Sequence, residues 1–166
     1  MGRGRIIAGR VLFGGALVIG AGAGTVATAL PASAAPTTIK LVDQNKPRDV
    51  VFVDTGAPGF SVGDEIIFHS NLLCTDNCGA PGTKVGTVDV TCTIMLHNRQ
   101  DCEGTAQLFG RGKINFGGVT PSNHSGFVFG INGGTGEFVG AAGTIYVNTT
   151  NSTGPGNGEK ITITLV

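Results

Sequence analysis

The sequence contains no tryptophan, a single tyrosine and few charged residues, which make up 13% of its 166 positions. Intrinsically disordered chains combine high net charge with low hydrophobicity, whereas this chain is 40% hydrophobic and formally neutral. Coiled coils are rich in Ala, Glu, Lys and Leu, and collagen has a Gly-x-y period; this sequence has neither feature. The composition therefore indicates a folded globular protein of a length typical of one domain.

The first 34 residues predict an export signal. Arg3, Arg5 and Arg10 precede an uncharged stretch over residues 11–30, and small residues follow at an Ala-x-Ala motif that ends at Ala34. This order of features is typical of a secretory signal peptide. The alternative is an uncleaved membrane anchor, since 20 uncharged residues could just span a bilayer. Eight glycines in this segment and the cleavage motif favour cleavage, so we expect a secreted, extracellular protein.

Cleavage after Ala34 leaves one domain, residues 35–166, with a changed charge. Removing three arginines from eleven basic residues leaves eight against eleven acids, a net charge of −3. Nucleic acids and anionic membrane surfaces attract proteins with a basic excess, which this domain lacks. We therefore predict no nucleic-acid partner and no membrane association of the mature form.

All four cysteines lie in this domain, at positions 74, 78, 92 and 102. An even number of cysteines in an exported chain indicates disulfides. Cys92 and Cys102 are equidistant from His97 in a polar turn, so a hairpin centred there places them opposite each other, while Cys74 and Cys78 flank a short turn segment. The alternative is a zinc site, but the spacing C-x3-C-x13-C-x9-C matches no common structural zinc pattern. We predict two disulfides and no metal.

Alternation with a period of two residues is the main structural signal in the domain. Between residues 84 and 96, Val88, Val90 and Cys92 alternate with polar residues, as in a half-buried strand. Further strands are predicted at residues 38–43, 49–54, 64–73, 103–109, 113–119, 125–131, 144–149 and 160–165. Short strands at near-regular spacing predict an all-β sandwich or a closed barrel. A barrel of about eight strands is filled by side chains or holds one small ligand.

Three stretches in order resemble the allene oxide cyclase and dirigent superfamily, in particular its small exported actinobacterial members. The first is VGDEIIF at residues 62–68, followed by Leu72. The second joins Val85-Gly86, TCT at 91–93, CEGTAQL at 102–108 and GKI at 112–114. The third and most specific is INGGTGEFVGAAG at residues 131–143. The resemblance covers most of the mature domain and implies an eight-stranded antiparallel β-barrel with a ligand cavity, often assembled as a homotrimer.

The resemblance also implies two kinds of activity. Allene oxide cyclases isomerise a fatty-acid allene oxide, and dirigent proteins bind phenoxy radicals and orient their coupling. The polar residues of the cyclase site carry over only in part. The early-strand positions fall near Leu41 and Asp43 without the expected glutamate, Ser70 lies near the expected asparagine, and Cys92 matches the expected cysteine but loses its thiol in a disulfide. Where many dirigent proteins carry two aspartates, this chain has His69 and Ser70.

The candidate site residues follow from the strand pattern and the resemblance together. Ser70 and Asp43 are candidate catalytic residues, with a hydroxyl held by the backbone and a strand-end acid facing water as the simpler interpretations. Four residues are predicted to line a pocket: Ile66, Phe68, Cys92 and Phe129. The loop Gly133, Gly134 and Gly136 is interpreted as a tight turn. Glu137 is interpreted as a solvated loop acid or, alternatively, as a carboxylate at the cavity mouth.

Three functional hypotheses remain open from sequence. The first is a secreted barrel that binds a small apolar or aromatic molecule, with or without steering its cyclisation or coupling. The second is an isomerase of the allene oxide cyclase type, which acts by positioning and desolvating its substrate. The third is a non-catalytic structural or interaction protein with a solidly packed barrel. None of the three requires a cofactor, and the volume of the interior distinguishes the third from the others.

Overall fold

The structure is a computed structural model that describes residues 37–44, 49–122, 125–149 and 158–166. By its internal contacts the chain divides into Met1–Ala32, which lies outside these ranges, and Ser33–Val166. The predicted signal peptide, residues 1–34, therefore falls outside the described residues, and the boundary at residue 35 stays a prediction. Within the described ranges, no helix is long and apolar enough to cross a membrane.

The described residues form nine β-strands, all paired antiparallel, and a short 3-10 helix at Gly136–Phe138. The strands are β1 Thr37–Gln44, β2 Val50–Val53, β3 Glu65–Asp76, β4 Lys84–Met95, β5 Arg99–Leu108, β6 Gly112–Pro121, β7 Gly126–Gly134, β8 Gly143–Asn148 and β9 Lys160–Leu165. All nine predicted strands are confirmed. The largest differences are that β5 begins four residues earlier than predicted and that β3 and β7 each continue three residues further.

The nine strands close into an eight-position barrel. Neighbouring strands follow the order β1-β9-β8-β7-β6-β5-β4-β3, and β3 pairs back to β1, which closes the ring. β1 and β2 share the same edge of β3: β1 pairs with Asn71 through Asp76, and β2 pairs with Glu65 through Phe68. β1 and β2 therefore act as one interrupted strand of the barrel. Of the two architectures predicted from the strand pattern, a sandwich or a closed barrel, the structure has the closed barrel that the resemblance implied.

The hairpin between β4 and β5 fixes the register of the cysteines. Met95 pairs with Arg99, and Leu96, His97 and Asn98 form the turn, in which the last two have positive φ angles of 62° and 53°. The same register sets Cys92 opposite Cys102, and the two are joined by a disulfide. Cys74 and Cys78 form the second bridge at the end of β3. Both predicted pairings are confirmed, and two disulfides are typical of proteins outside a reducing compartment.

One end of the barrel is packed solid. Ile39, Leu108 and Ile114 are buried there in the core cluster, and Phe138 on the 3-10 helix belongs to the same cluster. Inward-facing side chains on closely spaced strands leave little space between them, so this end adds to the apolar stabilisation of the fold.

Glycines let the connecting loop approach this solid end. Gly133 and Gly136 have φ angles of 127° and 63°, which disfavour other residues. A Cβ at Gly134 would meet the Cβ of Phe138 at 2.7 Å and the backbone oxygen of Lys113 closer still. Gly133 and Gly134 are the last residues of β7 and Gly136 begins the 3-10 helix, so these glycines carry the chain from the strand to Phe138.

Candidate functional site

A cavity of about 280 Å³ lies inside the barrel, toward the end opposite Phe138. Every strand of the closed ring contributes to its lining. Ser70, Val88 and Ala106 stand side by side across β3, β4 and β5, and these small side chains leave space at the middle of the barrel. The volume lies just below the usual range of small-molecule sites, about 300–1,000 Å³.

The cavity brings together the inward-facing residues predicted from sequence. Ile66, Phe68, Cys92 and Phe129 all line it, as predicted by their alternation along the strands. Ser70 also lines it, and its side chain is 1% exposed. Cys92 takes part in a disulfide, so it presents a sulfur bridge rather than a thiol to the interior.

The cavity reaches solvent at one end of the barrel, which we call the mouth. Ser122, which follows β6, lines the cavity and is exposed, and Gln100 at the start of β5 lines it beside the hairpin turn. Phe127 at the start of β7 also lies there and is half-buried. The mouth is therefore formed by the ends of β4, β6 and β8 and the starts of β3, β5, β7 and β9.

Two carboxyl groups meet at the seam between β1 and β9, near the mouth. The backbone N–H of Glu159 donates to Oδ1 of Asp43 at 2.8 Å, and the N–H of Asp43 donates to the backbone oxygen of Glu159 at 3.0 Å. Both side chains line the cavity. Asp43 and Glu159 are the only titratable groups in that lining among the described residues, apart from the bridged cysteines, so this cavity is apolar with one acidic corner.

The surroundings of this pair change its acidity. Burial raises the pKa of the Glu159 carboxyl to about 7, and the charge of Asp43 acts in the same direction. Burial also raises the pKa of Asp43, while the hydrogen bond from the N–H of Glu159 lowers it. Two carboxylates in a low-dielectric site resist simultaneous ionisation. The pair therefore holds a proton more readily near neutral pH than exposed carboxyls do.

The geometry corrects one sequence interpretation, that of Asp43, and excludes one alternative, that of Glu137 at the cavity mouth. Asp43 does not face water, because the hydrogen bonds to Glu159 hold it at the seam and its exposed fraction is 5%. Glu137 does not lie at the cavity mouth, because the end of β7 lies at the solid end of the barrel, and its carboxylate binds Nε of Arg111 at 2.8 Å. Gly133, Gly134 and Gly136 lie at that same end and do not line the cavity.

Glu159 was missed by the sequence reasoning, although a signal for it exists. The predicted strand at residues 160–165 places Ile161 and Ile163 on the inner face, and continuing that alternation by one step reaches Glu159. All three line the cavity. Glu159 was missed because it lies just before the predicted strand at residues 160–165, next to a glycine-rich stretch that is typical of a loop.

Three phenylalanines, Phe116, Phe127 and Phe129, form an aromatic wall in the same cavity. Phe116 and Phe129 have ring centroids 5.4 Å apart, and Phe127 and Phe129 are 6.4 Å apart, both in tilted arrangements. In the closed ring, β6 is four positions from β1 in either direction, so the Phe116 strand lies opposite the strand of Asp43. A Cβ at Gly104 would collide with the Phe116 ring, and glycine there lets the ring lie against β5.

Metal-binding chemistry has no visible basis in the described residues. No group of three or more His, Cys, Asp or Glu side chains in these ranges is arranged to hold a metal ion. His69, on the outer face of β3, instead contacts the Asp89 carboxylate at 2.6 Å.

We expect replacement of Glu159 with glutamine to change how stability depends on pH. The folded state keeps a proton on Glu159 that the unfolded chain releases above its ordinary pKa of 4.5, so wild-type stability falls as pH rises from 4.5 through about 7. After allowance for the partial exposure of Glu159, its protonation contributes about 1–2 kcal/mol to this fall in stability. The stability of the glutamine variant is therefore expected to fall by that much less over the same pH range. Thermal unfolding at pH values from 4 to 8 measures the difference between the two proteins.

The matched control for this experiment is Glu103→Gln, on the exposed outer face of β5. Its melting temperature is expected to follow that of the wild type across the same pH range. Parallel curves for wild type and Glu159→Gln would show that Glu159 keeps an ordinary pKa in the folded protein and would contradict the prediction.

The comparisons with known proteins agree with this barrel. No family model and no curated protein matches the chain. Among solved structures, a pyocyanin demethylase superposes with a TM-score of 0.63 at 29% identity, covering 78% of this chain and 100% of that one. A pterocarpan synthase dirigent protein gives 0.58 at 14% identity, covering 79% and 83%. The Diels–Alderase AbmU from Streptomyces koyangensis gives 0.58 at 14%, covering 79% of this chain and 63% of that chain.

These likenesses establish the class of fold. The chain is a closed, all-β, eight-stranded antiparallel barrel of the dirigent and allene oxide cyclase-like type. The fold implied by the resemblance in the sequence motifs is thereby confirmed.

Proposed function

We propose that this protein is a secreted barrel that binds a small apolar or aromatic molecule inside its cavity. The observation that carries the proposal is the cavity itself, about 280 Å³ in volume, lined mainly by aliphatic and phenyl groups with a few polar side chains near the mouth. Sites of this composition are typical of small-molecule binding. A structural protein with a solidly packed barrel would need no such space, so the cavity favours ligand binding over the structural alternative.

The second part of the proposal is that the barrel directs the cyclisation or coupling of its ligand. The structural neighbours include proteins named as a demethylase, a pterocarpan synthase and a Diels–Alderase, and all three share this barrel. A walled cavity promotes cyclisation or coupling by holding reacting atoms together and excluding water. The disulfide at Cys92 argues against an allene oxide cyclase mechanism that needs a thiol at this position.

Secretion and trimer formation belong to the same proposal. The predicted signal peptide and the two disulfides support export to an oxidising compartment. The family resemblance supports a homotrimer. An exposed apolar pair on the outer wall, Val128 opposite Tyr146 with exposed fractions of 58% and 44%, gives a surface on which subunits could pack.

The proposal predicts that filling the cavity abolishes ligand retention. Val88 faces the cavity between Ser70 and Ala106, so a phenyl group in the Val88→Phe variant can occupy the ligand space without displacing a large neighbour. Native mass spectrometry of protein purified from its own host is expected to show a bound small molecule in the wild type and none in Val88→Phe. The same spectra report whether the protein is a trimer.

The control carries the same substitution away from the cavity. Val139 is 75% exposed in the turn after the 3-10 helix, so Val139→Phe is expected to keep the ligand. Wild-type protein that carries no small molecule from its host, and that binds none from a panel of flat apolar compounds, would reject the proposed function.

A further inference from the structure

The aromatic wall and the acidic corner line one cavity, and this arrangement restricts the ligand. Phe116, Phe127 and Phe129 lie on β6 and β7, while Glu159 lies at the β1–β9 seam. A flat molecule that fills the cavity therefore contacts both the phenyl rings and a carboxyl group. Binding depends on two properties of the ligand, its aromatic surface and its charge.

We propose that the ligand is an aromatic cation, bound with its ring system against the phenylalanine wall and its positive nitrogen next to the Glu159 carboxyl. The proposal rests on the proposed function, because it assigns the chemical class of molecule that the same cavity takes. Phenyl faces attract cations through the ring quadrupole, most strongly when water is excluded. A carboxylate that loses its solvation on burial regains favourable interactions when a positive charge arrives beside it.

The charged groups around Glu159 agree with a cation and disfavour an anion. Asp43, on the adjacent β1, is a second acid in the same corner. Lys160 follows Glu159 but is exposed on the outer face of β9, and Lys40 on the outer face of β1 pairs with Asp76 at 3.3 Å. No described basic side chain lines the cavity. An anionic ligand would therefore lie beside two carboxyl groups.

Cation binding is expected to be linked to the proton on Glu159. Burial and Asp43 hold the pKa of this carboxyl at about 7 in the free protein, so it must lose a proton to pair with a cation. A ligand whose charge is fixed should therefore bind about tenfold more weakly at pH 6 than at pH 8. A neutral ligand of the same shape should show no such change.

The test uses two aromatic probes of nearly identical shape, N-methylquinolinium and 1-methylnaphthalene. They differ in that a positive nitrogen replaces one ring carbon, and both fluoresce, so binding is followed by titration at pH 8 and pH 6. In a purely apolar cavity the naphthalene binds more tightly, because burying an uncompensated charge is costly. We expect the reverse order at pH 8, with the cation favoured by about tenfold.

The variant Glu159→Gln keeps the shape of the side chain and removes its charge. It is expected to lose the preference for the cation and the pH dependence, while Glu103→Gln on the outer face keeps both. If Glu159→Gln fails to fold, the pH dependence of the wild type with the two probes decides the question alone.

The outcomes separate this inference from the proposed function. Tighter binding of the cation, lost in Glu159→Gln, supports both. Binding of both probes with the naphthalene equal or favoured overturns the charge assignment and leaves a cavity that binds apolar molecules. Failure of both probes to bind at either pH counts against the proposed function, and the inference falls with it.

Discussion

Replacing Phe138 with alanine is expected to lower the free energy of unfolding by about 3–5 kcal/mol. The Phe138 side chain is 2% exposed and belongs to the core cluster at the solid end of the barrel. Its ring also lies beneath the Arg111 guanidinium, 5.3 Å from the centroid. The 3-10 helix that carries it is only three residues long, so it has little structure of its own to rearrange and fill the space left by the ring.

Chemical denaturation with a two-state fit measures this loss, and Val139→Ala is the matched control. Val139 is the next residue in the chain but is 75% exposed, so its truncation is expected to change stability by no more than about 0.5 kcal/mol. Ligand binding should survive in Phe138→Ala wherever the protein stays folded, because Phe138 does not line the cavity. A loss below about 1 kcal/mol would mean that the barrel end repacks without the ring.

The fold could be predicted from the sequence because its strongest signal is local. Alternation of Val88, Val90 and Cys92 with polar residues requires only that one side of a strand be buried. The turn at His97 fixed the β4–β5 register and hence one disulfide, again over a short distance in sequence. What alternation could not supply was ring closure, since a sandwich uses the same pattern. The family motifs supplied that step.

Inward-facing residues of the cavity lining follow from alternation, whereas the contact between Asp43 and Glu159 depends on distant pairing. Ile66 and Phe68 follow from the inner face of β3. Asp43 and Glu159 are 116 residues apart, and their contact exists because β9 pairs with β1 to close the ring. Nothing local to either residue indicates that the two carboxyls meet or that burial raises their pKa values.

The position of the mouth could not be predicted for a similar reason. Glu137 could be placed there only as an alternative, because sequence alone does not say which end of the barrel stays open. The difference arises from side-chain size along the barrel axis. Phe138 and Leu108 fill one end, while Ser70 and Ala106 leave space at the middle. The position of the cavity therefore depends on how side-chain volume is distributed over all eight strands, and no single motif predicts it.

Removing the Cys92–Cys102 disulfide with paired alanine substitutions is expected to cost about 2.5–3 kcal/mol of stability. The two cysteines are ten residues apart, and the bridge restricts the unfolded chain by closing that loop. The Cys74–Cys78 bridge closes a loop of four residues, so the same treatment there is expected to cost less, about 2 kcal/mol. Both variants should keep the barrel, because the β4–β5 ladder holds Cys92 opposite Cys102 without the covalent bond.

Thermal unfolding with and without a reductant separates the effect of the bridge from that of the lost side-chain volume. Both sulfurs face the cavity, so alanine also enlarges the ligand space, whereas reduction leaves the thiols in place. Reductant also opens the Cys74–Cys78 bridge, so the wild type and the double variant are compared with each other in reductant, where only the lost side-chain volume should separate their stabilities. Without reductant, the double variant should be less stable than the wild type by about 2.5–3 kcal/mol. A double variant as stable as the oxidised wild type would mean that the hairpin is already closed in the unfolded ensemble. The bridge would then contribute to the cavity wall rather than to the stability of the barrel.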